Sequence, residues 1–109
     1  MHQNADVLQG TLDLLILKAA SLETMHGWAV SLRIRQISSG VLEVNQGSLY
    51  PALHRLVKRG WLDASWGVSE NNRRARFYRL TPAGRKQLTQ ETATWRRFST
   101  AVDALLATS

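Results

Sequence analysis

The chain contains no cysteine. Disulfides and thiolate metal sites are therefore excluded, and the composition fits a reducing compartment. No apolar run is long enough to span a bilayer, so no membrane partner is expected. No basic-then-apolar leader follows Met1. A soluble, cytoplasmic protein is the expectation. The three histidines, His2, His26 and His54, lack metal-ligand spacing. No nucleophile motif and no glycine-rich phosphate loop occurs. Neither enzyme chemistry nor a bound metal or cofactor is expected. Acids are scarce as well: eight Asp and Glu stand against 14 Lys and Arg, giving a formal net charge of +6.

That charge is concentrated. Between residues 46 and 86, nine cations face only Asp63 and Glu70, a local net charge of +7 against +6 for the whole chain. A basic block on a near-neutral body is the footprint of a polyanion partner, although a face kept charged for solubility looks similar. Arginine outnumbers lysine eleven to three. Its planar fork matches phosphate and guanine, which favours nucleic acid. With 109 residues, 44% of them hydrophobic and 20% charged, the chain is one small globular domain. A core of that size leaves room for stabilisation by oligomerisation.

The stretch 45–60 organises the rest. Leu49, Leu53 and Leu56 recur at helical spacing and form one apolar stripe. Asn45 or Ser48 caps the start, and Gly60 ends the helix in a left-handed turn. Pro51 is tolerable if it falls in the first turn. With the stripe buried, Gln46, Ser48, Tyr50, Pro51, His54, Arg55, Lys58 and Arg59 lie on or near the exposed side. That surface offers donors, an aromatic and cations, but no acid. It suits a groove of DNA, the competing view being a surface helix that is merely basic. Gln can read adenine and Arg guanine. Tyr50 can donate to a phosphate, whereas Lys58 and Arg59 suit the DNA backbone or solvent.

Upstream, residues 1–7 read as a short arm. A first helix runs from about 9–11 to 22, with Leu12, Leu15, Ile16 and Ala19 on one stripe and Leu14 and Leu17 on another. A helix apolar nearly all round is buried on more than one face, and in so small a chain the second face is expected to meet another subunit. A turn at 23–27 leads into a second helix over 26–38. Residues 41–44 alternate as a short strand would. Downstream, 61–66 and 75–80 alternate as the two strands of a hairpin. The polar tip between them carries Asn71, Asn72, Arg73 and Arg74. Arg76 and Arg79 sit on the return strand, and one of the two can serve as a structural ion-pair partner. Trp61 and Trp66 read as core or hairpin-packing residues. Thr81 and Pro82 open a last helix to about 107. On it Leu88, Trp95 and Val102 are seven apart, as are Phe98 and Leu105, a short heptad seam interrupted at Glu91.

Helix, helix, strand, helix, hairpin and long helix make a mainly α winged helix-turn-helix. Its third helix enters the major groove, and its wing reaches phosphates or the minor groove. Residues 1–85 form the DNA-binding part and 86–109 the dimerisation helix, within one compact unit. The sequence also resembles the short form of the PadR-like transcriptional regulators. The resemblance rests on Gly10-Thr11-Leu12-Asp13-Leu14-Leu15-Ile16-Leu17, on His26-Gly27-Trp28, and on Gln46-Gly47-Ser48-Leu49-Tyr50-Pro51-Ala52-Leu53-His54-Arg55-Leu56. It continues in Gly60-Trp61-Leu62 and in the run from Glu70 through Arg85, covering about residues 8–95. Trp28 departs from the Tyr frequent in that family, with little consequence expected. The longer C-terminal domain of larger members is missing, so their ligand habits do not carry over.

The resemblance implies a homodimeric bacterial repressor joined through its C-terminal helices, with some short members taking flat aromatic or other small effectors at the dimer interface. The heptad pattern independently points to a dimer through Leu88, Trp95, Phe98, Val102 and Leu105, and the second face of the first helix adds Leu14 and Leu17. Trp95 reads either as a packing anchor or as a stacking platform for a planar ligand. Double-stranded DNA is the expected partner, as an operator of two palindromic half-sites. Two alternatives remain: a nonspecific architectural DNA binder, and a basic module that meets an acidic protein.

Overall fold

The computed structural model describes residues 11–109. The arm expected over 1–7 lies outside the described residues. In chain order the elements are α1 (Leu12–Leu22), β1 (Met25–His26), α2 (Gly27–Ile37), α3 (Gln46–Lys58), β2 (Leu62–Val68), β3 (Arg74–Leu80) and α4 (Pro82–Leu106). The three strands form one antiparallel sheet in the order β1-β3-β2.

Side-chain caps set three of the helix starts. The Asn45 carboxamide oxygen accepts from the Ser48 N–H at 2.9 Å and opens α3. His26 Nδ1 accepts from the Ala29 N–H at 3.3 Å at the start of α2. The Thr81 hydroxyl accepts from the Gly84 N–H at 2.9 Å at the start of α4, just before Pro82. Each satisfies a donor that has no partner inside its helix. At the far end of α3, Gly60 takes φ 80°. The Gly60 N–H then donates to the Val57 carbonyl at 2.9 Å, and the Trp61 N–H donates to Leu56 at 3.0 Å. This is the left-handed helix stop that favours glycine.

The core is one cluster. Ile16 and Leu17 of α1, Val30 of α2, Leu49, Leu53 and Leu56 of α3, and Leu62 of β2 are its fully buried large side chains. Tyr78 and Leu80 close it from β3. The α3 stripe therefore faces inward, as its spacing requires.

Two expectations fail, each for a physical reason, and one condition is not met. Residues 41–44 form no strand. Their burial does alternate, with Leu42 and Val44 tucked against the core and Val41 and Glu43 outward. β3 is paired on both sides, by β2 and by the short β1, and 41–44 pairs with neither of these outer strands; its inward residues are held by the core instead. Leu17 is 0% exposed inside its own chain's core, so it has no surface to give to a second subunit. Leu14 is half-buried and keeps some. Finally, Pro51 is the sixth residue of α3, not part of its first turn. Its missing N–H would have bonded the Gly47 carbonyl. Pro51 and Gly47 are both exposed, so water can take that role.

These placements separate two leucines that look alike in sequence. Leu17→Ala is expected to lower unfolding free energy by about 2–5 kcal/mol, the range for a buried Leu truncation. Leu14→Ala should cost less than half as much. Urea unfolding of both variants measures the difference.

Candidate nucleic-acid interface

Burial of Leu49, Ala52, Leu53 and Leu56 turns the opposite side of α3 outward. Gln46, Tyr50, Pro51, His54, Arg55, Lys58 and Arg59 are exposed there, and Ser48 is half-buried in the first turn. The Tyr50 ring lies against the start of α2. A Cβ on Gly27 would stand 2.9 Å from Tyr50 Cε1, so only glycine lets the ring settle there. The Tyr78 phenol of β3 is buried as part of the core. Burial pushes its pKa up from the ordinary 10.0, the Arg76 cation pulls it down, and the Tyr50 phenol adds to the rise.

The wing is the β2–β3 hairpin. Its register runs from Leu62↔Leu80 at the base to Val68↔Arg74 at the far end. Residues 69–73 close the tip: the Asn72 N–H donates to the Ser69 carbonyl at 2.8 Å, and the Ser69 N–H donates to Arg73 at the same distance. Asn72 takes φ 59°, a left-handed turn position that Asn tolerates. Asn71, Asn72, Arg73, Arg74 and Arg76 are all exposed. One face of the hairpin holds Leu62, Ala64, Trp66 and Val68, opposite Leu80, Tyr78, Arg76 and Arg74. The first part of that face packs into the core. The rest runs past the body and is exposed.

Ion pairs sort the cations. Arg79 is bonded to Asp63 at 2.8 Å on the outer face of the hairpin, so it is the structural partner of the two strand arginines. Arg55 donates to the Asp13 carboxylate on α1. One guanidinium nitrogen makes that bond, and the side chain stays partly exposed. Among the described residues, no carboxylate stands within ion-pair distance of Lys58, Arg59, Arg73, Arg74 or Arg76. Those five charges are free to meet an outside anion. Arg59 lies 5.2 Å from the Trp61 ring centroid.

Sequence reasoning misses two participants. Asp13 gives no signal, because it lies 42 residues from Arg55. Trp66 reads as core in the sequence but is 58% exposed. The Arg74 guanidinium lies 4.4 Å and that of Arg76 5.6 Å from its ring centroid. Counting back from the tip would have placed Trp66 opposite Arg76. Trp61, by contrast, is half-buried against the core, as a packing residue should be. Trp28 is exposed, so the larger ring meets no packing constraint.

The last helix leaves its second half uncovered. Leu88 packs against the core. Trp95 is 42%, Phe98 60% and Leu105 76% exposed, and Val102 is partly open too. The Trp95 and Phe98 rings touch, 5.9 Å apart and tilted by 40°. Among the described residues, no group of His, Asp and Glu is placed to hold a metal ion, and no helix is long and apolar enough to cross a membrane.

A helical pair presenting an acid-free third helix, followed by a basic hairpin, places the chain among the winged helix-turn-helix proteins. Residues 16–90 match the model of the Transcriptional regulator PadR-like family, and the chain belongs to that family. Its members are transcriptional regulators, not enzymes. Transcriptional regulator Rv3488 of Mycobacterium tuberculosis is 39% identical over 77 residues, covering 70% of this chain and 67% of that protein. A PadR-like transcriptional regulator from Bacillus cereus superposes with a TM-score of 0.81 at 28% identity, over 95% of this chain and 99% of that one. A transcriptional regulator from Clostridium thermocellum gives the same TM-score and identity, over 91% of this chain and 96% of its own.

Proposed function

We propose that this regulator is a homodimeric, sequence-specific DNA-binding repressor acting on a palindromic operator. The observation that carries the reading is the outward side of α3. It joins hydrogen-bond donors with Arg55, held by Asp13, and with Lys58 and Arg59, which have no carboxylate partner among the described residues, and the wing carries three more exposed arginines. Phosphate contacts supply affinity and orientation; base contacts supply preference. Gln46, Ser48, Tyr50, His54 and Arg55 are the base-facing set. Arg55 keeps guanidinium nitrogens beyond the one held by Asp13, so a fixed fork can meet guanine. Lys58, Arg59, Asn71, Asn72, Arg73, Arg74 and Arg76 meet the DNA backbone or the narrow groove.

The second half of α4 supports the dimer. A monomer would leave Trp95, Phe98, Val102 and Leu105 in water on a helix about 37 Å long. Pairing with a second copy buries them and sets two recognition helices at a fixed spacing. Trp95, with the Phe98 ring tilted 40° against it, also presents an apolar ring face on that seam. A planar aromatic effector stacked there would relieve repression by shifting the pair of recognition helices.

Trp95→Asp combined with Val102→Asp sets like charges across the seam. Sedimentation is expected to show monomer, and operator binding to collapse because two linked half-sites become one. A stable, DNA-competent dimer from this variant would remove α4 as the interface. In wild-type dimer a flat hydrophobic dye should quench tryptophan emission, and Trp95→Ala should abolish that quenching.

Reading and holding separate in a second experiment. A bidentate arginine–guanine bond carries roughly 1–3 kcal/mol of discrimination. Arg55→Ala should weaken the selected site more than random duplex. Arg73→Ala with Arg74→Ala should weaken both, and should flatten the salt dependence by about 0.9 log unit for each phosphate that a subunit no longer neutralises. Equal weakening on both duplexes for Arg55→Ala would make it a phosphate contact instead. A gel shift with excess competitor DNA tests the nonspecific and protein-binding alternatives.

A further inference from the structure

We propose that Trp66 is a positioning residue that preassembles Arg74 and Arg76 into a clamp for a DNA phosphodiester. The inference rests on the reading that the wing meets DNA. Trp66 lies directly across the ladder from Arg76, and Arg74 is its diagonal neighbour beside Val68. All three project from the hairpin face that has left the core. Both guanidiniums lie within cation–π reach of one indole, at 4.4 and 5.6 Å from its centroid. Neither has a carboxylate partner among the described residues.

Two like charges held close together repel each other, and long arginine side chains lose rotamer freedom when they are held. The electron-rich ring face offsets both costs before any ligand arrives. What remains unsatisfied is the outward N–H set of the two forks, the donor pattern that a phosphodiester oxygen pair accepts. Asp63 and Arg79, paired on the opposite face of the hairpin, leave the clamp's charge uncompensated.

An uncharged substitution should therefore change an electrostatic observable. Trp66→Leu retains apolar bulk and both arginines but removes the ring. Its affinity for duplex DNA is expected to fall about fivefold, as removal of two exposed cation–π interactions implies. The slope of log K against log salt should flatten by about 0.9 for each phosphate that a subunit no longer neutralises. Trp66→Phe keeps a π face and should restore most of the affinity and slope. Thermal unfolding of both variants should stay near wild type, because the side chain is mostly in water. Arg74→Ala with Arg76→Ala is run alongside.

If Trp66→Leu binds as wild type while the double arginine variant is weakened, the wing meets DNA and Trp66 does not position it. If Trp66→Leu and Trp66→Phe bind equally weakly, shape rather than the ring face is responsible, and the clamp is overturned. If the double arginine variant itself leaves affinity and salt slope unchanged, the wing reading fails, and the clamp with it.

Discussion

Burial of one leucine stripe governs this molecule. Leu49, Leu53 and Leu56 are sealed against Ile16, Leu17, Val30 and Leu62. Each such leucine contributes about 1.5–3 kcal/mol relative to exposure. Turning α3 by half a revolution would expose three of them and drive Arg55, Lys58 and Arg59 into the core. Desolvating those cations would cost several kcal/mol more for each ion. The orientation of α3 is therefore fixed by its apolar side. The polar side inherits its direction at no structural cost and is left free for a partner.

The hairpin extends the same logic past the edge of the core. Its inner face begins as packing, with Leu62 against Leu80 and Ala64 against Tyr78. Two residues further along each strand the body has ended, and the same face carries Trp66, Arg76, Val68 and Arg74. A strand keeps its alternation whether or not anything covers it. The register that seals the core thus also determines which arginines stand on the exposed part of that hairpin face. Tyr78, buried on that face, has its phenol pKa raised chiefly by burial, with the Arg76 cation lowering it and the Tyr50 phenol adding to the rise.

Much of this is legible in the sequence because it is local. The α3 stripe, the Asn45 and Thr81 caps, the Gly60 stop, the hairpin and the long last helix all follow from spacing and end signals. What escapes depends on partners distant in sequence. Met25–His26 is a strand because it pairs with β3, whereas 41–44 alternates in burial but pairs with no strand of the sheet. An all-apolar helix does not say which of its faces is core, so the pattern sends Leu17 to a second subunit although its own chain buries it. Asp13 and Arg55 meet through tertiary packing alone. Trp66 reads as core or hairpin packing because tryptophan usually is; its role emerges only when the strand register is followed beyond the body's edge.

The central claim is that one continuous face, built from α3 and the hairpin tip, is where this regulator meets DNA. Backbone amide chemical shifts of the protein, recorded with and without a selected duplex, test it most directly. Perturbations are expected to cluster in 45–59 and 69–76, with the outer hairpin face around Asp63 and Arg79 unmoved. A duplex that binds tightly while leaving 45–59 silent, with its shifts gathered elsewhere, would contradict the account.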